Sequence, residues 1–167
     1  AVGRVLSENC VSAIDVPEHC NSAMDGYALN SADLDSENVQ LKITQRIAAG
    51  EVGRQLSSGE VARIFTGAPV PEGADAVVMQ ENCEVSGDVL KVLQEHVRPG
   101  ENLRQAGDDI QAGELILAQG HRLKPQDIGL LASIGLESVS VTRRLRVSLL
   151  TTGDELMQPG TQLKAGQ

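Results

Sequence analysis

The chain has 167 residues, of which 23 are acidic and 14 basic, for a formal net charge of −9. That balance disfavours non-specific nucleic-acid binding and attraction to anionic membrane, since both need a basic surface. One tyrosine and one phenylalanine make no stacking platform for single-stranded bases, and no run approaches the ~20 apolar residues of a membrane span.

Cys10, Cys20 and Cys83 are odd in number and show no Cys-x-x-Cys spacing. They read as reduced thiols of a cytoplasmic protein, neither a disulfide frame nor a zinc site. His19, His96 and His121 read as surface or packing residues, because four-ligand spacing is absent.

In chain order, Val2, Arg4 and Leu6 alternate with Gly3 and Val5 as in a short strand. The start at Ala1 and the abrupt end at Gln167 read as those of a piece of a longer protein. Pro17 keeps the next segment extended up to Asp25-Gly26. There Gly26 is expected at positive φ, so that a stiff turn presents the Asp25 carboxylate.

From residue 39 to 66 the pattern is β, with alternation over 41–44 and 61–64. The Gly-Glu pair recurs at 50–51, 59–60, 100–101 and 113–114, a repeated turn followed by a strand. Residues 66–75 form a rigid loop with two prolines and two glycines, feeding a buried strand over 76–81. A hairpin turns at Ser86-Gly87-Asp88, and residues 115–117 form a short buried strand. A helix runs over 125–134, with Pro125 in its first turn, Ile128, Leu131 and Ile134 on one stripe, and Gly135 as its stop. Residues 137–141 form a strand, and 145–150 a buried strand leading into Thr151-Thr152-Gly153-Asp154-Glu155. In an open α/β sheet, the loop leaving a strand's carboxyl end is where ligands bind.

The string Asn21-Ser22-Ala23-Met24-Asp25-Gly26-Tyr27-Ala28 resembles the signature of the molybdopterin molybdotransferase family, the MoeA proteins and the E domain of gephyrin. Segments 66–80, 100–110 and 147–156 resemble the family in the same order, as do the Gly-Glu turns and the helix at 127–135. The resemblance implies a mainly β fold like the MoeA N-terminal region, a complex β fold of two interleaved lobes. Residues 11–112 make the central β lobe, and residues 1–10 and 113–142 a discontinuous smaller lobe with one helix. Residues 143–167 are then the truncated start of an α/β molybdopterin-binding domain.

The activity implied is insertion of molybdate into adenylylated molybdopterin, with Mg²⁺-dependent hydrolysis of the nucleotide, in molybdenum cofactor biosynthesis. A pyrophosphate and an oxyanion would be repelled by bare carboxylates, so acids in such a site make sense as holders of Mg²⁺. Carried over by motif, the catalytic candidates are Asp25, Thr66, Asp109 and Glu155. Asp25, Asp109 and Glu155 are metal candidates, and Ser22, Gly67, Gly153 and Asp154 are binding candidates, with Thr66 and the exposed amides at Gly67 as donors to an oxyanion. His19-Cys20 stands where the family commonly has Phe-Asp, which removes an acid near the site. The family is homodimeric, and the resemblance puts the cleft between one chain's β lobe and the partner's α/β domain. The fragment is thus expected to be half a site and inactive alone, with a molybdopterin adenylyltransferase as a further partner. The alternative is a gephyrin-like scaffold module gripping receptor peptides.

Overall fold

In the computed structural model, which describes residues 1–34 and 39–167, most stretches with β alternation do pair. The strands are β1 (Cys10–Val11), β2 (Asn21–Ser22), β3 (Gly26–Leu29), β4 (Leu41–Ile47), β5 (Glu60–Ile64), β6 (Ala76–Met79), β7 (Cys83–Ser86), β8 (Val89–Val92), β9 (Leu103–Arg104) and β10 (Leu115–Leu117). One α-helix, α1, spans Pro125–Ser133. Six strands form a sheet in the order β6-β3-β5-β4-β8-β7, while β1 pairs with β10 and β2 with β9 as separate ribbons. β4 and β5 are neighbours in sequence yet run parallel. A parallel connection needs about a dozen residues or more, and residues 48–59 supply it without a helix. Leu56 anchors that crossover by burying its side chain against Ile47 and Ile64.

The sheet is covered on both faces. Tyr27, Leu29 and Val61 pack to one side, and Ala28, Ala62 and Ile64 to the other, as a period of two demands. Ala76, Val77 and Val78 are all fully buried, the signature of a strand with no solvent face. Each fully buried valine or leucine contributes about 1.5–3 kcal/mol, opposed by the entropy of ordering the chain.

A third core joins the two ends of the described chain. Leu6, Cys10, Ile110, Leu123, Leu131 and Ile134 are buried together, because residues 5–16 lie along 110–141 through the bridges Val5↔Arg122, Leu6↔Val141 and Val16↔Ile110. The helix in this core starts at Pro125 and stops at Gly135, whose φ is 78°.

The four Gly-Glu pairs are one device. Each glycine has positive φ, at 86°, 78°, 84° and 89°. Each glutamate N–H donates to the carbonyl three residues back, that of Ala48, Ser57, Arg98 or Gln111. Its carboxylate then accepts the N–H of that same residue at 3.0–3.1 Å. A turn closed from both sides in this way leaves neither backbone group unpaired.

Several expectations are corrected. The strand over 2–6 is reduced to isolated bridges at Val5 and Leu6, and of residues 137–141 only Val141 pairs. β10 forms, but Leu115 is half-exposed. Of the stripe expected on the helix, Leu131 and the C-capping Ile134 are buried while Ile128 lies toward the surface, and Asp127 takes an inward position instead. The strand expected at 145–150 is not formed: Leu145, Val147, Leu149 and Leu150 are almost fully exposed. A strand exists through its ladder partners, and none of the described residues pairs with this segment. No helix among the described residues is long and apolar enough to cross a membrane.

Candidate functional site

The site begins at the three-residue connector between β2 and β3. Ser22 is buried at its start, where its hydroxyl donates to the Met24 carbonyl at 2.6 Å and accepts from the Met24 N–H at 3.3 Å. That side-chain turn is a local alternative to ladder bonding for a serine. The chain then reaches Asp25, whose carbonyl accepts from Gln80 N–H at 3.1 Å, and Gly26, whose carbonyl accepts from Arg63 Nη1 at 2.9 Å. Gly26 is not among the residues of positive φ, which corrects the expected turn geometry. Its glycine is required by close approach: a Cβ there would sit 2.1 Å from the Val78 carbonyl oxygen of β6.

The Asp25 side chain meets Thr66. Oδ1 accepts both the Thr66 N–H and the Thr66 hydroxyl, each at 2.9 Å. The amide bond first, then the hydroxyl, hold the Asp25 carboxyl below the usual carboxylate range, and the Arg63 charge adds to the effect. Asp25 and Thr66 are both exposed, so an ionised carboxylate is displayed with a fixed orientation.

The amides of the Thr66-Gly67 loop bond within the protein. The Thr66 N–H is used on Asp25, the Gly67 N–H donates to the Ser22 carbonyl at 2.8 Å, and the Ala68 N–H to that of Phe65 at 2.9 Å. None of these amides is left over for an incoming oxyanion. The loop is a holder for Asp25 and for β2.

Asp109 is approached from the other side of β2. Pairing of β2 with β9 sets Arg104 opposite Asn21, and Arg104 Nη2 reaches Asp109 Oδ2 in an ion pair. A metal at Asp109 would compete with that guanidinium. The neighbouring Asp108 accepts from the Gln105 N–H at 2.7 Å, closing its own turn. Glu155, Asp154 and Gly153 are exposed, and among the described residues no hydrogen bond links them to Asp25, Thr66 or Asp109.

Among the described residues no group of three or more His, Cys, Asp or Glu side chains could hold a metal ion. Mg²⁺ commonly keeps its waters and takes one or two carboxylates plus phosphate oxygens. Asp25 fits as one such ligand, because both protein donors fall on Oδ1 and none among the described residues reaches Oδ2. The three thiols are free. Burial raises the Cys20 thiol, with Asp108 adding to it, and pushes Cys83 up to about 11.

Arg63, Gln80 and Arg104 escaped the sequence reading. Arg63 and Arg104 each sit a few residues from a motif residue, but nothing in the local pattern separates them from solvated charges. His121 is also more than a packing residue. It bonds the buried Asp127 at 2.6 Å, and Asp127 accepts the Lys124 N–H at 2.7 Å to cap α1.

Comparison with known proteins follows the same outline. Residues 1–135 match the family described as the MoeA N-terminal region (domain I and II). The whole chain aligns with a molybdopterin molybdenumtransferase of Haemophilus influenzae at 40% identity, covering 41% of that protein. It aligns with a molybdopterin molybdenumtransferase 2 of Mycobacterium tuberculosis at 38%, covering 42%. A crystal structure of a molybdopterin biosynthesis MoeA protein from Pyrococcus horikosii superposes over 99% of the chain with a TM-score of 0.90 at 35% identity, covering 44% of that chain. The chain therefore spans less than half the length of these relatives. It is, by the matched family, the shared strands and the ordered motifs together, a member of the MoeA N-terminal-region family.

Proposed function

We propose that this chain supplies the β-lobe half of the cleft of a molybdopterin molybdotransferase, acting in molybdenum cofactor biosynthesis in the cytoplasm. The observation that carries the reading is the Asp25 carboxylate, kept ionised and oriented by Thr66 within the string that resembles the family signature. Names of the relatives support the transferase class. In this reading Asp25 is a Mg²⁺ ligand, with the remaining positions taken by water and by phosphate oxygens of adenylylated molybdopterin. Mg²⁺, when bound, supplies neutralisation of the pyrophosphate charge during hydrolysis. Thr66 positions Asp25, and Arg104 holds Asp109 at the margin of the cleft while leaving part of its own guanidinium for an anionic group. Glu155, Asp154 and Gly153 act from a partner chain in a homodimer, the two acids adding carboxylates to the Mg²⁺ that Asp25 holds and the Gly153 amide donating to an anionic group. A molybdopterin adenylyltransferase would deliver the substrate. A scaffold role draws no support from Asp25, because a peptide grip has no need of a carboxylate held by two donors.

The test is reconstitution of the full-length protein with adenylylated molybdopterin, Mg²⁺ and molybdate. Active cofactor should form with the wild type, and fall by about 10²-fold or more with Asp25→Asn, the scale for loss of one site electrostatic group. This 167-residue chain alone should give no turnover. Unchanged activity in the Asp25→Asn protein would overturn the assignment.

A further inference from the structure

The two aromatic residues of the chain both carry arginines. Phe65 carries two of them: the Arg46 guanidinium carbon is 4.4 Å from the ring centre and that of Arg63 is 4.6 Å. Arg63 also lies 5.2 Å from the centre of the Tyr27 ring. The sheet builds this arrangement, because Tyr27 pairs with Arg63 in the β3–β5 register and Arg63 pairs with Arg46 in the β5–β4 register. Directly opposed residues share a face, so three neighbouring strands each place one member on the same side.

Most arginines among the described residues lack an acidic partner, but only Arg46 and Arg63 share a ring. In a chain of net charge −9, Arg54 and Arg104 are each matched by an acid. Among the described residues, neither Arg46 nor Arg63 has an acidic partner within ion-pair distance. Arg63 is fixed by its bonds to the Gly26 carbonyl and to Gln80 Oε1. Arg46 is exposed and has no hydrogen bond among the described residues. A guanidinium near an aromatic ring within about 6 Å is held by the ring while its N–H edges remain able to donate. The Arg46 guanidinium keeps its full donor fork, and the Arg63 charge on the same ring adds to the positive field an oxyanion would meet there. The fork adjoins the candidate site: Phe65 precedes Thr66, and Arg63 grips the carbonyl next to Asp25.

We propose that Arg46, Phe65 and Arg63 form a binding shelf for a phosphoryl or pyrophosphoryl group, a subsite separate from the Asp25 carboxylate and of opposite charge. An acid-rich site that receives a polyphosphate needs fixed positive charge nearby, and this shelf supplies it. The choice of a polyphosphate as ligand rests on the proposed function, whereas the paired cations on Phe65 do not. A second basic hollow, lined by Gln94, His96 and Arg98, is the weaker candidate, because Glu101 lies in its wall and already bonds Gln94.

Phe65 is the sole phenylalanine, so fluorophenylalanine labelling places one fluorine reporter on the shelf. Titration of the labelled protein with inorganic pyrophosphate should move that resonance saturably. Arg46→Ala should weaken binding by about tenfold, the scale of losing charge-assisted hydrogen bonds, and Arg46→Lys should restore part of it. Arg46 is exposed, and an unchanged amide spectrum would confirm that the variant folds. Arg98→Ala should bind as the wild type does. The proposal is overturned if the fluorine signal does not move, if Arg46→Ala binds equally well, or if Arg98→Ala abolishes binding. Pyrophosphate binding here together with an inactive full-length protein would leave the shelf standing and remove the transferase reading. An active protein with no fluorine response would do the reverse.

Discussion

Thr66 holds Asp25 across 41 residues of sequence through two hydrogen bonds to one carboxylate oxygen. The bond from the amide survives any side chain at position 66 except proline's, whereas the one from the hydroxyl does not. Thr66→Val therefore isolates the second contribution. The Asp25 carboxyl, depressed below its ordinary value in the wild type, should titrate closer to that value in the valine protein, as read by carboxyl-detected NMR. Thr66→Pro removes the amide donor as well and should raise it further. No movement in Thr66→Val would assign the whole effect to the amide.

A depressed carboxyl also has a consequence for stability against pH. The unfolded Asp25 titrates near pH ~3.9, above its folded value. Its stabilising contribution is thus fully present above that pH and is lost as pH falls through the folded pKa. Asp25→Asn should lower the urea midpoint at neutral pH and flatten this part of the acid limb, so that mutant and wild type converge as pH is taken from 6 to 2. An acid limb identical to the wild type would show that Asp25 makes no such contribution.

Gly26 and Gly67 separate two reasons for glycine. At Gly26 an added methyl meets the Val78 backbone, so Gly26→Ala must push β3 from β6. Overpacking of this kind costs about 1–3 kcal/mol or more. At Gly67 nothing lies within 4 Å of an added Cβ, but φ is 81°, so Gly67→Ala carries only the left-handed penalty of about 1–2 kcal/mol. Equilibrium urea unfolding should rank Gly26→Ala as the more damaging. Gly26→Ala should also disturb the amide shifts of Asp25 and Gln80, because Gln80 N–H bonds the Asp25 carbonyl.

Glu101 tests the repeated turn. Its carboxylate accepts the Arg98 N–H and, at 2.7 Å, the Gln94 amide. These bonds, the Arg98 N–H first, keep its carboxyl below the usual range. Glu101→Ala should speed hydrogen exchange at the Arg98 amide and lower the urea midpoint. Glu101→Gln keeps a carbonyl acceptor and should lie between the two. Equal exchange in all three proteins would mean that the glycine alone sets the turn.

The proposed cross-subunit cleft makes a quantitative prediction. Full-length Asp25→Asn and Glu155→Ala proteins should each be inactive, yet regain activity when mixed under subunit exchange. Random exchange puts about half of a symmetric pair into heterodimers, each with one intact site, so activity should approach about a quarter of the wild type. Confirmed exchange with activity still at the single-mutant background would place both residues in one chain's site.

The sequence by itself determined the local structure. Alternation over 41–44 and 61–64, the apolar run at 76–78, the Ser86-Gly87-Asp88 turn and the Pro125-to-Gly135 helix each follow from neighbours a few residues apart, and the chain obeys them. The shared string also pointed to the MoeA N-terminal-region family and to Asp25 with Thr66. Tertiary structure decided the rest, because those outcomes depend on residues distant in sequence. Gly26 is needed for β6 passing 2.1 Å from where a Cβ would stand, and Asp109 is neutralised only because the chain folds Arg104 back beside it. The amides of Thr66 and Gly67 are occupied because Asp25 and Ser22 arrive from another strand. Residues 145–150 show the converse: the apolar alternation of a strand is present, but without a neighbour to complete its hydrogen bonds the segment forms no strand.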